Sequence, residues 1–201
     1  MKLRKFINIF IILTILITTN LLAKDNKAKD FSLNDSHGKS HKLSDYKGKW
    51  VVLEWLSFGC PFVIKHYDSN NMQNLQKKYT GKGIVWLSIC SSAEGKQGYY
   101  KDLDELNTKL KDYKTFNTSY LIDSEGIVGK MCDARTTPQI VIINPEGNII
   151  YNGAIDDIKS TDVEDIKKAK NYVSTVLDEV LSGKPSPYSV TQPYGCSVKY
   201  K

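Results

Sequence analysis

The stretch WVVLEWLSFGCPFV, residues 50–63, decides the fold class of this chain. Residues 50–56 form an almost unbroken apolar run, rich in β-branched and aromatic side chains, which is typical of a strand buried on both faces of a parallel sheet. Cys60 and Pro61 follow a short turn, and proline is favoured at the first position of a helix. The stretch therefore predicts a buried strand that leads through Cys60 into a helix.

Further elements on both sides of this stretch extend it into an α/β domain with a mixed central sheet and flanking helices. Strands and helices alternate first, which indicates a parallel crossover, and an antiparallel pair and a last helix follow. The predicted elements are an N-terminal β-hairpin over residues 31–49, a helix over 62–79, a buried strand over 83–89, a helix around 103–110, a hairpin of strands 139–143 and 148–151, and a helix over 162–181.

Cys60 is a candidate nucleophile because of its place at the start of the predicted helix. Free backbone N–H groups and the helix dipole stabilise a thiolate there and lower the pKa of the thiol. A thiolate is the attacking species in disulfide exchange and in peroxide reduction. The alternative is that Cys60 is a small buried apolar side chain.

The N-terminus has the pattern of a secretory signal peptide over residues 1–23, with a basic start, an apolar run over 6–22 and Ala23 before a polar segment. We therefore expect an exported protein of the periplasm or cell envelope. The alternative is that residues 6–22 stay as a membrane anchor, and we expect membrane contact only in that case. The domain is predicted over residues 24–183, and residues 184–201 form a tail that carries Cys196.

The charge of the chain does not indicate a nucleic-acid partner. The formal net charge of the 201 residues is +6, but residues 1–23 hold three basic and no acidic side chains, so their removal would lower it to +3. Nucleic-acid binding normally needs a clustered basic face, and the remaining chain has a single arginine, Arg135. Four cysteines are too few for a disulfide-rich scaffold but enough for a redox pair.

Seven short motifs carry a resemblance to a known family. They are Gly59-Cys60-Pro61-Phe62-Val63, Lys65-His66-Tyr67, Ser91-Ser92-Ala93, Gly95-Lys96-Gln97-Gly98-Tyr99, Thr136-Thr137-Pro138, Tyr151-Asn152-Gly153-Ala154-Ile155-Asp156-Asp157 and Gly195-Cys196-Ser197-Val198-Lys199-Tyr200. Their order and spacing resemble the redoxins, the alkyl hydroperoxide reductase/thiol-specific antioxidant branch of the thioredoxin-like proteins. The likeness covers about residues 29–201 and implies a thioredoxin fold.

The resemblance also implies roles for residues around Cys60. Thr137 and Pro138 match the cis-proline turn that faces the reactive cysteine, where the preceding backbone can pair with a substrate chain. Glu54 occupies the place of a buried acid that could take a thiol proton, although an exposed strand residue is an equal alternative.

The chain departs from both thioredoxins and peroxiredoxins within the motif. Val63 replaces the second cysteine of C-x-x-C, so the neighbouring resolving thiol is absent. Ser57 matches the hydroxyl residue three positions before the peroxidatic cysteine, but Leu53 stands where peroxiredoxins have proline. Arg135 matches, by the resemblance, an arginine that holds the peroxide oxygens.

The other cysteines supply candidates for the resolving thiol. Cys196 is the first candidate, because it lies in a family motif on a tail that we expect to be flexible enough to reach Cys60. A structural bond that ties down the tail is the alternative. Cys90 ends the second buried strand and could pair with Cys60, or be a buried thiol, and Cys132 is a weaker candidate.

We therefore expect an exported thiol oxidoreductase in which Cys60 reduces a small hydroperoxide or a protein disulfide and an external thiol reductant restores the protein. The missing C-x-x-C slightly favours the hydroperoxide. We expect no cofactor and no metal, because Ile64 replaces the second cysteine of a copper-type C-x-x-x-C, and His37 and His41 are expected to be solvated. The alternative function is a non-catalytic envelope module that binds peptides and has structural cysteines.

Overall fold

The computed structural model describes residues 26–201. The predicted signal segment 1–23 and the predicted anchor 6–22 lie outside the described residues. Within the described part of the chain, no helix is both long enough and apolar enough to cross a membrane.

Residues 26–201 contain short strands and helices in alternation. The strands are β1 (Ser32–Asn34), β2 (Ser40–Lys42), β3 (Val51–Trp55), β4 (Val85–Cys90), β5 (Ser119–Ile122), β6 (Thr136–Thr137), β7 (Gln139–Ile143), β8 (Ile149–Gly153) and β9 (Cys196–Ser197). The α-helices are α1 (Pro61–Asp68), α2 (Asn71–Thr80), α3 (Leu103–Asp112), α4 (Ile127–Met131) and α5 (Tyr172–Leu181), with 3-10 helices at Leu43–Tyr46 and Val163–Lys167.

The predicted α/β fold with a mixed sheet is confirmed. The central sheet has the strand order β5-β4-β3-β7-β8, in which β3, β4 and β5 are parallel and β7 is antiparallel to both β3 and β8. The strands β1 and β2 form the expected N-terminal hairpin. All five residues of β3 are buried, because this strand lies at the centre of the sheet.

Alternate residues of β3 face two separate cores. Val52 belongs to the core that contains Cys60, together with apolar residues of α1, α2 and α5. Val51, Leu53 and Trp55 belong to the core on the opposite face, which contains Cys132. The near-continuous apolar sequence of β3 follows from this burial on both faces.

The long helices predicted over residues 62–79 and 162–181 are each interrupted. The first splits into α1 and α2 at Asn70, whose φ of 58° is in the left-handed region that asparagine tolerates. The second begins as a 3-10 helix, and α5 starts only after Asn171, whose side chain accepts a hydrogen bond from the Ser174 N–H. The apolar spacing continues through both interruptions and therefore did not reveal them.

The expectation that His41 is solvated is wrong. Its ring is buried, with Nε2 at 2.8 Å from Asp35 Oδ2 and Nδ1 at 2.5 Å from the Tyr46 hydroxyl. The Ser36 N–H donates to the Tyr120 carbonyl of β5 at 3.0 Å. The Ser36–Tyr120 bond anchors the N-terminal hairpin to the edge of the central sheet, at the strand β5 that the sequence did not predict. His37 is exposed.

Glu54 on β3 is fully buried, so the alternative that it is an exposed strand residue is wrong. Four donors point at its carboxylate oxygens, from Tyr67 (2.9 Å), Gln76 (3.1 Å), Trp86 (2.7 Å) and Ser88 (3.1 Å). These donors come from α1, α2 and β4, so one side chain holds both helices against the sheet. Burial raises the pKa of Glu54 above its usual range, and the hydrogen bonds oppose that rise.

Substitution of Glu54 tests this cluster. In Glu54→Ala the four donors lose their acceptor, and we expect the free energy of unfolding in urea titrations to fall by about 3 kcal/mol or more. In Glu54→Gln the side chain no longer titrates. The pKa of Glu54 is raised in the folded state, so its contribution to the free energy of unfolding is complete only below the pKa of the unfolded state. That contribution is lost as the pH rises through the pKa of the folded state.

The stability of wild type relative to Glu54→Gln should therefore decrease over the pH range that begins at about 4, the ordinary pKa of a glutamate carboxyl, and extends upward from it. Both proteins share every other titrating group, so their difference isolates Glu54. A difference that stays constant over this range would contradict the assignment.

Candidate active site

Cys60 lies between β3 and the first turn of α1. It is the N-cap residue of α1, with Pro61 at the first helical position, and its carbonyl accepts hydrogen bonds from the N–H groups of Val63 and Ile64. Only 1% of its surface is exposed. The helix N-terminus thus reaches the thiol as the sequence predicted, and the thiol is closed off from solvent.

The turn at Thr137 and Pro138 faces the thiol. The Thr137–Pro138 peptide bond is cis, and the Cys60 Sγ donates a hydrogen bond to the Thr137 carbonyl oxygen at 3.0 Å. Thr137 is buried at the end of β6, directly before Pro138 and β7. Cys60, Thr137 and Pro138 are therefore brought together from positions almost eighty residues apart.

Cys196 is held beside Cys60 by backbone pairing. The strand β9 pairs with β6 in antiparallel register, with Cys196 opposite Thr137 and Ser197 opposite Thr136. The side chain and the backbone N–H of Cys196 both form hydrogen bonds with the Cys60 sulfur. Both cysteines are free thiols, and Cys196 is the partly exposed one of the pair.

The tail is hydrogen-bonded along its length next to Cys60, so Cys196 does not have to reach back from a distance as expected. The Val198 N–H donates to the Arg135 carbonyl at 3.0 Å, and the Ala93 N–H donates to the Lys199 carbonyl at 2.8 Å. The Tyr200 hydroxyl donates to the Ala134 carbonyl at 2.6 Å. These bonds follow Cys196 along the chain, so its position is set without any rearrangement.

Gly195 explains why the tail can come this close. Its φ of 133° is in the region that favours glycine, and a side chain at this position would overlap the Thr137 carbonyl. A residue without Cβ is required directly before Cys196.

The contacts between the two thiols shift their pKa values in opposite directions. Burial opposes ionisation of Cys60, but hydrogen bonds from Cys196, the Thr137 side chain and the Val63 N–H bring its pKa below the ordinary value. For Cys196, burial and then the neighbouring Cys60 raise the pKa to about 11, with Lys199 acting in the opposite direction. Cys60 is therefore the more easily ionised thiol of the pair, and Cys196 is the thiol that donates to it once it ionises.

Three other predicted site residues do not contact the Cys60 sulfur. The Arg135 side chain is 71% exposed and forms a bidentate pair with Asp133, at 2.9 and 2.8 Å. The Ser57 carbonyl accepts from the Cys60 N–H at 2.9 Å, so its role in the site is carried by its backbone. The Glu54 carboxylate is bonded to the four donors described above.

The remaining cysteines lie apart from the pair. The Cys90 thiol donates to the Gly98 carbonyl at 3.2 Å, and the Cys132 thiol is buried in the other core. Burial and the nearby Asp123 raise the pKa of Cys132 to about 12, which makes it a poor nucleophile. Among residues 26–201, no group of three or more His, Cys, Asp or Glu side chains is arranged to hold a metal ion.

Sequence reasoning missed a buried polar group beside the site. Lys65 and His66 of α1 are fully buried, with Asp156 and Tyr194 packed against them. Lys65 and His66 fall between Val63 and Tyr67, at positions that the apolar spacing of the helix does not assign to the core. The available signal was the Lys65-His66-Tyr67 motif of the resemblance, which spacing alone did not explain.

A family model described as AhpC/TSA family matches residues 25–152. The chain belongs to the AhpC/TSA family. This AhpC/TSA protein is similar to the thiol-disulfide oxidoreductase ResA of Bacillus subtilis (strain 168), with 26% identity over 129 residues. The aligned region covers 64% of this chain and 66%, just under two thirds, of that relative. A second ResA, from Bacillus cereus, is 26% identical over 145 residues, which cover 71% of this chain and 76% of the relative.

Solved structures share the fold of this AhpC/TSA protein. A hypothetical protein from Sinorhizobium meliloti 1021 superposes with a TM-score of 0.70 and 23% identity, over 88% of this chain and 94% of that one. An uncharacterized protein from Geobacillus kaustophilus superposes with a TM-score of 0.71 and 24% identity, over 90% and 94% of the two chains.

The pH dependence of Cys60 alkylation tests the thiol contact. We expect the midpoint for reaction with iodoacetamide to lie below the ordinary value of about 8.5. In Cys196→Ala the midpoint should rise, because the thiol that hydrogen-bonds to the Cys60 sulfur is removed. The rate is measured by mass spectrometry of the peptide that contains Cys60. Cys132→Ala removes a buried thiol on the opposite face of the sheet and should leave the midpoint unchanged.

Proposed function

We propose that this protein is a two-cysteine thiol oxidoreductase in which Cys60 attacks the substrate and Cys196 resolves the intermediate. The observation that carries this proposal is the register of β9 on β6, which holds Cys196 in hydrogen-bond contact with the Cys60 sulfur. This contact supplies the second thiol that Val63 removes from the motif. The resolving thiol comes from the far end of the chain instead of the next helical turn.

Disulfide exchange is the reaction that the site supports best. The similar ResA proteins are named thiol-disulfide oxidoreductases, which supports a protein disulfide as substrate. A peroxide site of the kind that the resemblance to peroxiredoxins implies would need Arg135 and Ser57 near the sulfur. Their side chains lie elsewhere, on Asp133 and over Gly59.

The reaction proceeds in two exchanges. The Cys60 thiolate bonds to one sulfur of the substrate disulfide, and the other substrate sulfur leaves as a thiolate. The Cys196 thiolate then attacks Cys60, the first substrate sulfur leaves, and a Cys60–Cys196 disulfide remains. The substrate has gained two electrons, and protons from water complete its two thiols. An external thiol reductant returns the two electrons to the protein.

The shift in the pKa of Cys196 prepares it for the second exchange. Before the reaction, the neighbouring Cys60 is one of the causes that raise this pKa. Once Cys60 is bonded to substrate sulfur its negative charge is gone, so that cause disappears while the favourable effect of Lys199 remains. Cys196 therefore becomes easier to ionise at the moment when its thiolate is needed.

Hydroperoxide reduction is the second candidate. The lowered pKa of Cys60 supports it, since a thiolate attacks the O–O bond to give a sulfenic acid, and Cys196 would then condense with that acid to release water. The sequence slightly favours this reaction, while the positions of Arg135 and Ser57 favour disulfide exchange. A non-catalytic peptide-binding module is the alternative from a different class.

Serine substitutions of the two cysteines test these roles. We expect Cys60→Ser to lose at least about 99% of the turnover with an oxidised peptide disulfide and with hydrogen peroxide, because the nucleophile is absent. Cys196→Ser should perform one exchange and stop as a mixed disulfide at Cys60, visible by mass spectrometry. Cys132→Ser is the matched control and should turn over normally.

A dimedone trap separates the two substrates. Labelling of Cys60 in Cys196→Ser after peroxide, with no mixed disulfide after peptide, would favour the peroxidase. Equally negligible turnover of both substrates by wild type and Cys60→Ser would leave the binding module as the better interpretation.

We also propose that the protein acts outside the cytoplasm. The basic and apolar pattern of residues 1–23 supports export, and a redox pair is useful in an oxidising compartment. Fractionation of cells that express the full chain would test this. Recovery of the protein in the cytoplasm with residues 1–23 intact would contradict it.

A further inference from the structure

Two segments border the Cys60 site, one at the neighbouring Gly59 and one at the sulfur itself. On one side, the Gln97 side chain lies over Gly59, and its Nε2 donates to the Gly59 carbonyl at 2.7 Å. On the other side, residues 194–201 carry Cys196 onto the sulfur. Because only 1% of Cys60 is exposed, one of these segments has to move before an outside molecule reaches it.

Tyr194 ties the tail to a buried ion pair. Its hydroxyl donates to Asp156 Oδ1, and the other carboxylate oxygen of Asp156 lies 3.6 Å from Lys65 Nζ. The Lys65 ammonium also donates to the Ile158 carbonyl at 3.0 Å and lies 5.9 Å from the centre of the Tyr194 ring. The side chains of Lys65 and Asp156 are 0% and 2% exposed.

His66 completes the surroundings of Asp156. Its Nε2 lies 3.9 Å from Asp156 Oδ2, and burial together with the charge of Lys65 lowers the pKa of His66 to about 3. The ring is therefore neutral at physiological pH, and Lys65 is the cation of this cluster. A buried carboxylate with one cation depends strongly on each further hydrogen bond, and Tyr194 supplies one of them.

The cluster joins the two segments that carry the reactive thiols. Cys60 is the N-cap residue of the helix that holds Lys65, and Tyr194 stands two positions before Cys196. The Tyr194 ring also packs edge-on against Phe62 of the same helix, at 5.9 Å between ring centres. The proposed reaction does not use the side chains of Lys65, Asp156 or Tyr194.

We propose that Tyr194 is a positioning residue whose bond to Asp156 latches residues 194–201 over Cys60, so that release of this latch uncovers the thiol to the oxidant. The proposed function supplies only the identity of the oxidant that enters. The tail suits such a movement because β6 and β9 share only two residue pairs. The β6–β9 pair is also separate from the central sheet, so β9 can lift without displacing a strand of that sheet.

The latch makes a quantitative prediction for Tyr194→Phe, which keeps the ring but removes the hydroxyl. The Tyr194–Asp156 hydrogen bond involves a charged group and stabilises the closed position of the tail over Cys60. Its loss should raise the fraction of molecules with the tail open about tenfold. The limiting alkylation rate of Cys60 on the high-pH plateau, where the thiol is fully ionised, should therefore rise about tenfold. Hydrogen exchange at the Val198 N–H, which bonds to Arg135, should accelerate by the same factor.

Two further variants make the test specific. Tyr46→Phe removes the bond between Tyr46 and His41, a comparable loss far from the tail, and should change neither rate. Gln97→Ala frees the other covering segment and should leave Cys60 alkylation within about twofold of wild type.

Faster alkylation in Gln97→Ala but not in Tyr194→Phe would overturn the proposal, because the loop around Gln97 would then be the moving segment. Faster exchange at Val198 with unchanged alkylation would also overturn it, because the tail would open without uncovering Cys60. Neither Cys60 alkylation nor hydrogen exchange at Val198 needs a substrate. If the wild-type protein showed no turnover, the proposed function would be contradicted, but these two rates would still test the role of Tyr194.

Discussion

The backbone pairing of Thr137 with Cys196 is the constraint on which the candidate site depends. It places one thiol against the other, buries Cys60 and sets which of the two ionises first. The pairing also restricts the residue before Cys196, since only glycine fits at position 195 against the Thr137 carbonyl. A site assembled by a two-residue strand pair needs support on both sides, and the tail has it at Tyr194 and at Tyr200.

A buried carboxyl group and a buried ion pair organise the same helix from its two sides. Glu54 receives donors from α1, α2 and β4, and its charge is opposed by burial. Lys65 and Asp156 form an ion pair where α1 meets the tail. Charged groups in such places add little to stability compared with apolar side chains of the same size, but they accept few alternative arrangements. Their presence at α1 fits a helix whose first residue must be positioned accurately.

Local pattern was enough to predict four of the five strands of the central sheet, all but β5, and the helix that starts at the reactive cysteine. The apolar run of residues 50–56, the hairpins and the cysteine before Pro61 all have short-range signals, and the structure has these elements where they were expected. Two helix interruptions, at Asn70 and before α5, left no such signal, because single asparagine residues decide them while the apolar spacing continues.

The long-range part of the site was the harder part to predict. Cys196 was identified as a partner from its motif, but its fixed position depends on pairing with residues about sixty positions earlier. Arg135 was placed at the sulfur by resemblance, whereas Asp133, two positions away, holds its guanidinium at the surface. Such competition between partners is decided by three-dimensional neighbours that spacing alone does not reveal.

The distance between the two cysteines along the chain has an entropic consequence. A bond between positions 60 and 196 would close a loop of about 137 residues and restrict the unfolded chain by about 5 kcal/mol, whereas a C-x-x-C ring restricts it by about 2 kcal/mol. Because folding and disulfide formation are linked equilibria, the Cys60–Cys196 disulfide would be more stable in the folded domain than in the unfolded chain by the same amount. Oxidation would thus stabilise nearly the whole domain against unfolding, and each reduction would remove this stabilisation.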